Sequence, residues 1–312
     1  MNHWWIAGLL ATGLLLELGL RILGFGNPLI YIADPQIGYL LAPNQQTRRF
    51  GKHIAINQYS MRSPNITATR PQETLRVLLL GDSIVNGGWW TDQSQTISAL
   101  LQQQLQSQSL PNRQVEVLNA SANSWAPRNQ LAYLQRFGSF EAQMIVLVIN
   151  TDDLFAAAPT SVVVGRDRNY PERKPVLGLI EVLQRYLLKP KPIPELATVQ
   201  AEAGDRVGAN LAAIQQIQQF AEKQNAKFML LMTPLLREVE LPGSRDYEQK
   251  ARQRLQAFAQ TNRIPLIDCL PLFNSLKQPE TIYRDHIHLN PSGNQRVSTL
   301  ILQQILALPH QE

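Results

Sequence analysis

Residues 75–90, "LRVLLLGDSIVNGGWW", decide the fold. The run 75–80 is almost continuously aliphatic, as expected of a strand buried on both faces rather than one with a wet side. It ends on Gly81-Asp82-Ser83, with two glycines and two tryptophans just beyond. Such an ending is either an ordinary tight turn or a hydroxyl presented at the edge of a sheet. What surrounds it decides between them.

Working outward, similar apolar runs occur at 115–118 ("VEVL"), 144–149 ("MIVLVI"), 227–232 ("KFMLLM") and 264–268 ("IPLID"). Helical periodicities lie between them at 94–107, 127–137, 204–225 and 244–262, and a last helix is expected at 291–307. Strands alternating with helices imply a parallel sheet covered on both faces. Such sheets bind ligands outside the carboxyl ends of their strands, so the residues just after each strand carry the functional expectation. Residues 151–203, between the third and fourth of these strands, are longer than an ordinary connection. Within them 176–188, "VLGLIEVLQRYLL", reads as an amphipathic helix, and the whole is expected to be a lid-like insertion, with packing onto the domain or a membrane as the alternative.

The N-terminus has another character. Residues 4–23, "WWIAGLLATGLLLELGLRIL", are apolar except for Thr12, Glu17 and Arg21, and about 20 helical residues cross a bilayer core. Trp4 and Trp5 stand where an interfacial aromatic anchor would. Glu17 and Arg21 are one helical turn apart, spaced to pair. No Lys/Arg n-region and no Ala-x-Ala site marks a cleaved signal peptide. The expected organisation is a transmembrane anchor over 1–26, a membrane-proximal segment of turns and short strands over 27–73, and the main domain over 74–312. Arg21, Arg48, Arg49 and Lys52 follow the helix, which by the positive-inside rule puts the domain in the cytoplasm. The family likeness given below points instead to an extracytoplasmic domain.

Composition narrows the classes. In 312 residues, 44% are hydrophobic and 17% charged, enough apolar content for a sizeable core. The net charge of +5 is not concentrated in any basic block, so no nucleic-acid partner is expected. Cys269 is the only cysteine, which excludes an intramolecular disulfide.

Chemistry enters at the two ends of the domain. Ser83 follows the first sheet strand, and "YRDHIHLNPSGNQ" (283–295) places Asp285 three residues before His288, ahead of a helix whose start Pro291 and Ser292 mark. A serine hydroxyl is a weak nucleophile until a base takes its proton, and an imidazole serves best when a carboxylate fixes its tautomer. His286 and His288 with Asp285 are too few for a metal site, and no cofactor is expected. No G-x-S-x-G surrounds Ser83, and "GDSIVNGG" is neither a P-loop nor a dinucleotide fingerprint. Trp89, Trp90 and Trp125 follow strand ends. Trp89 and Trp125 are the candidates to line an acyl or sugar pocket, with core packing as the alternative.

"LLLGDSIVNGG" and "DHIHLNPSGNQ" resemble the first and last blocks of the SGNH/GDSL hydrolases, and the order of elements is similar over about 75–305. "DPQIGYLLAPN" and "INQYSMR" resemble the run between anchor and hydrolase domain in membrane-attached members. The resemblance implies a flavodoxin-like three-layer α/β/α sandwich with a central parallel sheet. It also implies an esterase, acetylesterase or acyltransferase with Ser83 as nucleophile, His288 as base and Asp285 as its orienting carboxylate. The substrate it implies is an acyl ester, on an O-acetylated glycan or a lipid.

The middle blocks depart from that pattern. The family's oxyanion-hole glycine falls on Ser124 in "LNASANSWAP" (118–127), where a backbone donor survives if Ser124 takes the needed conformation. Its oxyanion-hole asparagine falls on Asp152 in "VINTDDLF" (148–155). An ionised carboxylate there would repel the developing oxyanion, where a preorganised donor is worth about 3–4 kcal/mol. Asp152 serves only if protonated, or if Asn150 or Asn123 replaces it. The expected oxyanion hole is therefore Ser83, Ser124 and Asp152. The rival expectation is a degraded site that binds a glycan or a partner protein.

Overall fold

A computed structural model describes residues 4–108 and 114–307 of the chain; positions 1–3 of the expected anchor and 308–312 of the expected domain lie outside them. Helix α1 (Trp4–Ile22) has a mean hydropathy of 1.6 and buries none of its residues. It is long and apolar enough to cross a membrane. Two antiparallel hairpins follow, β1 (Tyr31–Asp34) with β2 (Gly38–Leu41) and β3 (Gln45–Arg49) with β4 (Lys52–Ile56). The first turns at Asp34, whose Oδ1 accepts the N–H groups of Gln36 and Ile37 at 3.0 and 2.7 Å.

The rest of the chain is built on β5 (Thr74–Gly81), β6 (Gln114–Ser121), β7 (Met144–Asn150), β8 (Lys227–Thr233) and β9 (Leu266–Asp268). They form one parallel sheet in the order β6-β5-β7-β8-β9. The chain steps from β5 to one side, then crosses back to β7 on the other. That reversal is the topological switch point of a flavodoxin-like sheet, where a crevice opens beyond the strand ends. The expected strands and long helices are all present, within a few residues at their ends.

Alternate side chains of each strand enter opposite cores. Val77, Leu79, Val146, Val148, Met229 and Leu231 pack with α3 (Ile97–Gln108), α10 (Cys269–Asn274) and α11 (Pro291–Ala307). Leu78, Leu80, Ile145, Leu147, Leu230 and Met232 pack with α4 (Pro127–Phe137), α7 (Arg206–Lys223) and α9 (Asp246–Thr261). Burial on both faces is why these strands read as unbroken apolar runs.

Residues 27–73 join the second of these cores. Ile37, Leu40, Leu41, Ile54 and Met61 are almost wholly buried in it. The long connection after β7 carries α5 (Gly178–Val182), a π-helical turn at Leu183–Leu187 and α6 (Pro194–Gln200). Its expected amphipathic helix is thus short, and much of its apolar surface faces out: Val176, Tyr186, Leu187 and Leu188 are each more than half exposed.

Candidate active site

Gly81 closes β5, and a Cβ there would lie 2.3 Å from Val85 Cγ2. Only glycine lets the one-turn helix α2 (Ser83–Asn86) fold directly back on the strand end. Asp82 caps that helix, its Oδ1 accepting the Ile84 N–H at 2.8 Å. Ser83 is therefore the first helical residue, where an N–H has no intrahelical acceptor, with its side chain at the carboxyl edge of the central strand. Gly87, in the left-handed region at φ 78°, ends the turn and donates to the Ser83 carbonyl at 2.8 Å.

From the far end of the chain, Tyr283 bridges to Leu289 and the Arg284 N–H donates to the His288 carbonyl at 2.8 Å, closing a tight loop. Within it Asp285 Oδ1 accepts the backbone N–H groups of Ile287 and His288 at 3.1 and 2.9 Å. Both carboxylate oxygens lie 2.9 Å from His288 Nδ1, and His288 Nε2 lies 2.9 Å from Ser83 Oγ. Partial burial pushes the Asp285 carboxyl up, but the hydrogen bonds from His288 and Ile287 outweigh it and hold the group below its ordinary value. A carboxylate so fixed keeps the proton on Nδ1 and leaves Nε2 as an acceptor facing the serine.

The loop after α2 is held from an unexpected direction. Arg62, almost completely buried, donates to the carbonyls of Asn86, Gly88 and Thr91. That fixes Trp89 and Trp90. Trp90 packs against His288 at 4.6 Å between ring centroids, and the Arg284 guanidinium lies 4.3 Å from the centroid of the Trp90 ring. Sequence reasoning gave no role to Arg62 or Arg284; the only signal for Arg62 was its place in "INQYSMR".

Ser83, Trp89, Trp90, Ser124 and His288 line one pocket of about 280 Å³. Its other walls come from outside the sheet: Asn27, Leu29, Tyr31 and Arg49 from 27–73, and Asn169, Tyr170 and Arg185 from the long insertion. Ser124 takes φ 57°, the left-handed conformation a glycine would adopt, and its hydroxyl shares a 2.9 Å hydrogen bond with Tyr170. Asn123 also lines the pocket.

Two expected residues are not brought there. Trp125 is 1% exposed in the core, where it packs on Tyr133 and donates from Nε1 to the Tyr39 carbonyl at 3.0 Å. An indole needs one acceptor when buried, and the β2 backbone supplies it. Asp152 is exposed and absent from the pocket wall. Its N–H donates to Asn150 Oδ1 at 2.7 Å, and partial desolvation with the nearby charge of Glu248 raises its carboxyl above the ordinary value. Asn150 is also committed elsewhere, its amide donating to Asp82 Oδ2 at 2.8 Å and its N–H to Asp153 Oδ2 at 2.9 Å. Burial, then the charge of Asp82, drives the Asp153 carboxyl well up; burial likewise raises Asp82. Among the described residues no cluster of three His, Cys, Asp or Glu side chains could hold a metal ion.

The model of the GDSL-like lipase/acylhydrolase family matches residues 79–296, from the strand before Ser83 to the helix after His288. The chain belongs to this family. Similar folds include TesA, at 18% identity and a TM-score of 0.48 over 74% of this chain and 97% of that one. The acetyl xylan esterase AlAXEase is 16% identical with a TM-score of 0.49, covering 74% and 99%. A catalytic mutant of Axe2, an acetylxylan esterase from Geobacillus stearothermophilus, is 13% identical with a TM-score of 0.49, covering 74% and 93%. No curated protein matches the chain in sequence.

Proposed function

We propose that this member of the family is a serine ester hydrolase held at a membrane by α1. His288 Nε2 takes the Ser83 proton as Oγ attacks the ester carbonyl, and Asp285 stabilises the imidazolium that forms. The backbone N–H groups of Ser83 and Ser124 hold the oxyanion. His288 then returns the proton to the departing alcohol, and water, or a carbohydrate hydroxyl if the enzyme transfers acyl groups, attacks the acyl-serine. The observation that carries this reading is the unbroken line Asp285–His288–Ser83, with both ring nitrogens at 2.9 Å from their partners. The aromatic pocket suits a short or medium acyl group, on an O-acetylated glycan or a lipid.

A fluorophosphonate probe tests the reading, because only an activated serine is phosphonylated at speed. Full-length protein should label and lose esterase activity, while Ser83→Ala should do neither. Equal labelling of the two would sink the proposal.

A further inference from the structure

Helix α1 is fastened to the insertion before it ends. Glu17 accepts the N–H groups of Gly178 and Leu179 at 2.8 and 3.1 Å, and Arg21 donates to the Val176 carbonyl at 2.7 Å. Beyond them Phe25 meets Tyr186 edge to face, and the Gly26 N–H donates to Glu181 at 2.7 Å. The part of α1 ahead of this clamp, residues 4–16, measures about 20 Å at 1.5 Å per residue. A hydrocarbon core is about 30 Å thick. A helix that crosses it must therefore bring the clamp itself down to the level of the membrane boundary.

The surface at that level is made for such a place. Val176, Leu183, Tyr186, Leu187 and Leu188 are exposed by 39–80%. Around them Arg173, Lys174, Lys189 and Lys191 are exposed, and among the described residues the three lysines make no ion pair. These basic residues wall a groove of about 900 Å³ that shares Pro28, Asn169, Pro171 and Arg185 with the pocket over Ser83.

We propose that residues 173–191 form a bilayer-contacting surface. Their apolar side chains enter the boundary between headgroups and acyl chains, their lysines meet anionic headgroups, and the groove leading to Ser83 opens onto the membrane surface. The inference rests on α1 being a membrane span.

Full-length protein carrying single cysteines at Leu187 or Val176 tests it, with Leu14→Cys in α1 reporting the span and Gln303→Cys on α11 as the aqueous control. Cys269 is wholly buried with its thiol held protonated by that burial, so it gives little background. Each variant is labelled with an environment-sensitive fluorophore and reconstituted into phosphatidylcholine–phosphatidylglycerol vesicles containing nitroxide lipids. We expect about twofold or greater quenching at Leu187 and Val176 by nitroxides near the headgroup, and at Leu14 by nitroxides deep in the chains, with Gln303 unaffected. Quenching at Leu14 with Leu187 and Val176 as indifferent as Gln303 overturns the proposal while the span stands, leaving the groove to a soluble polyanion. No quenching at Leu14 removes the span, and the proposal with it.

Discussion

Asp285→Asn removes a charge from the line to Ser83 and, besides it, the acceptor that Arg284 Nη1 meets at 3.2 Å. The backbone N–H groups of Ile287 and His288 still find an oxygen at the Oδ1 position, so the loop keeps its shape. The other position then carries an amide NH₂ 2.9 Å from His288 Nδ1. Whichever way His288 responds, it loses the anion opposite the imidazolium. At 2.9 Å a pair of unit charges is worth about 6 kcal/mol at an effective dielectric of about 20. The Asp285 side chain is 32% exposed, and water screening takes the effect nearer to about 3 kcal/mol at the lower bound. A transition-state loss between these limits is about 10²- to 10⁴-fold in kcat. The assay is hydrolysis of p-nitrophenyl acetate at neutral pH, with Ser83→Ala as the blank and urea unfolding to confirm that the variant is folded. A folded Asp285→Asn enzyme within about threefold of wild type would refute the reasoning.

Gly81→Ala should destabilise the protein by at least about 2 kcal/mol in urea, since its Cβ would lie 2.3 Å from the buried Val85; wild-type stability would show that α2 can move away at little cost. Asp153 has its folded pKa raised by burial and by Asp82, so its contribution to stability is present below the usual carboxyl pKa and is lost as pH rises through the folded value. Asp153→Asn should accordingly flatten the fall in urea midpoint as pH rises above about 4, and an unchanged slope would clear Asp153 of that role. Asp152→Asn should leave kcat within about twofold, because Asp152 does not line the pocket; a tenfold gain, about 1.4 kcal/mol, would put its carboxylate beside the oxyanion after all.

The sheet was legible because strands buried on both faces leave continuous apolar runs, and Ser83 was legible because β5 points straight at it. The loop of Asp285 and His288 could be read at its own scale, since the hydrogen bonds that Asp285 makes within it to Ile287 and His288 span only two or three residues. The walls of the pocket could not. Strand β3 reads "QQTRR" and gives no apolar signal, yet Arg49 is buried because Glu181, far along the chain, meets it at 2.8 Å. The same pairing defeats the reading of 176–188. An amphipathic pattern predicts leucines inward, whereas the side chain turned inward is Glu181, and Leu183 and Leu187 are left outside. At Asp152 the family's pattern marked a donor, but Asn150 takes its N–H and the side chain is exposed, something spacing alone cannot convey.

The Arg49–Glu181 pair, each side chain only 6% exposed, bears on how this enzyme could be cut down or recombined. A chain started at Thr74 keeps every residue the family model matches, yet it strips away Arg49 and the Gly26 N–H, leaving Glu181 with Arg185 at 3.3 Å as its remaining partner. It also opens the flank of the pocket formed by Asn27, Leu29 and Tyr31 and removes Ile37, Leu40 and Ile54 from the core they share with Trp125, Tyr133 and Leu134. Grafting the insertion onto another hydrolase meets the same obstacle from the other side. The flank of the pocket is thus built by the two segments together, through side chains some 130 positions apart in sequence, and a recombinant that carries one without the other breaks their pairing.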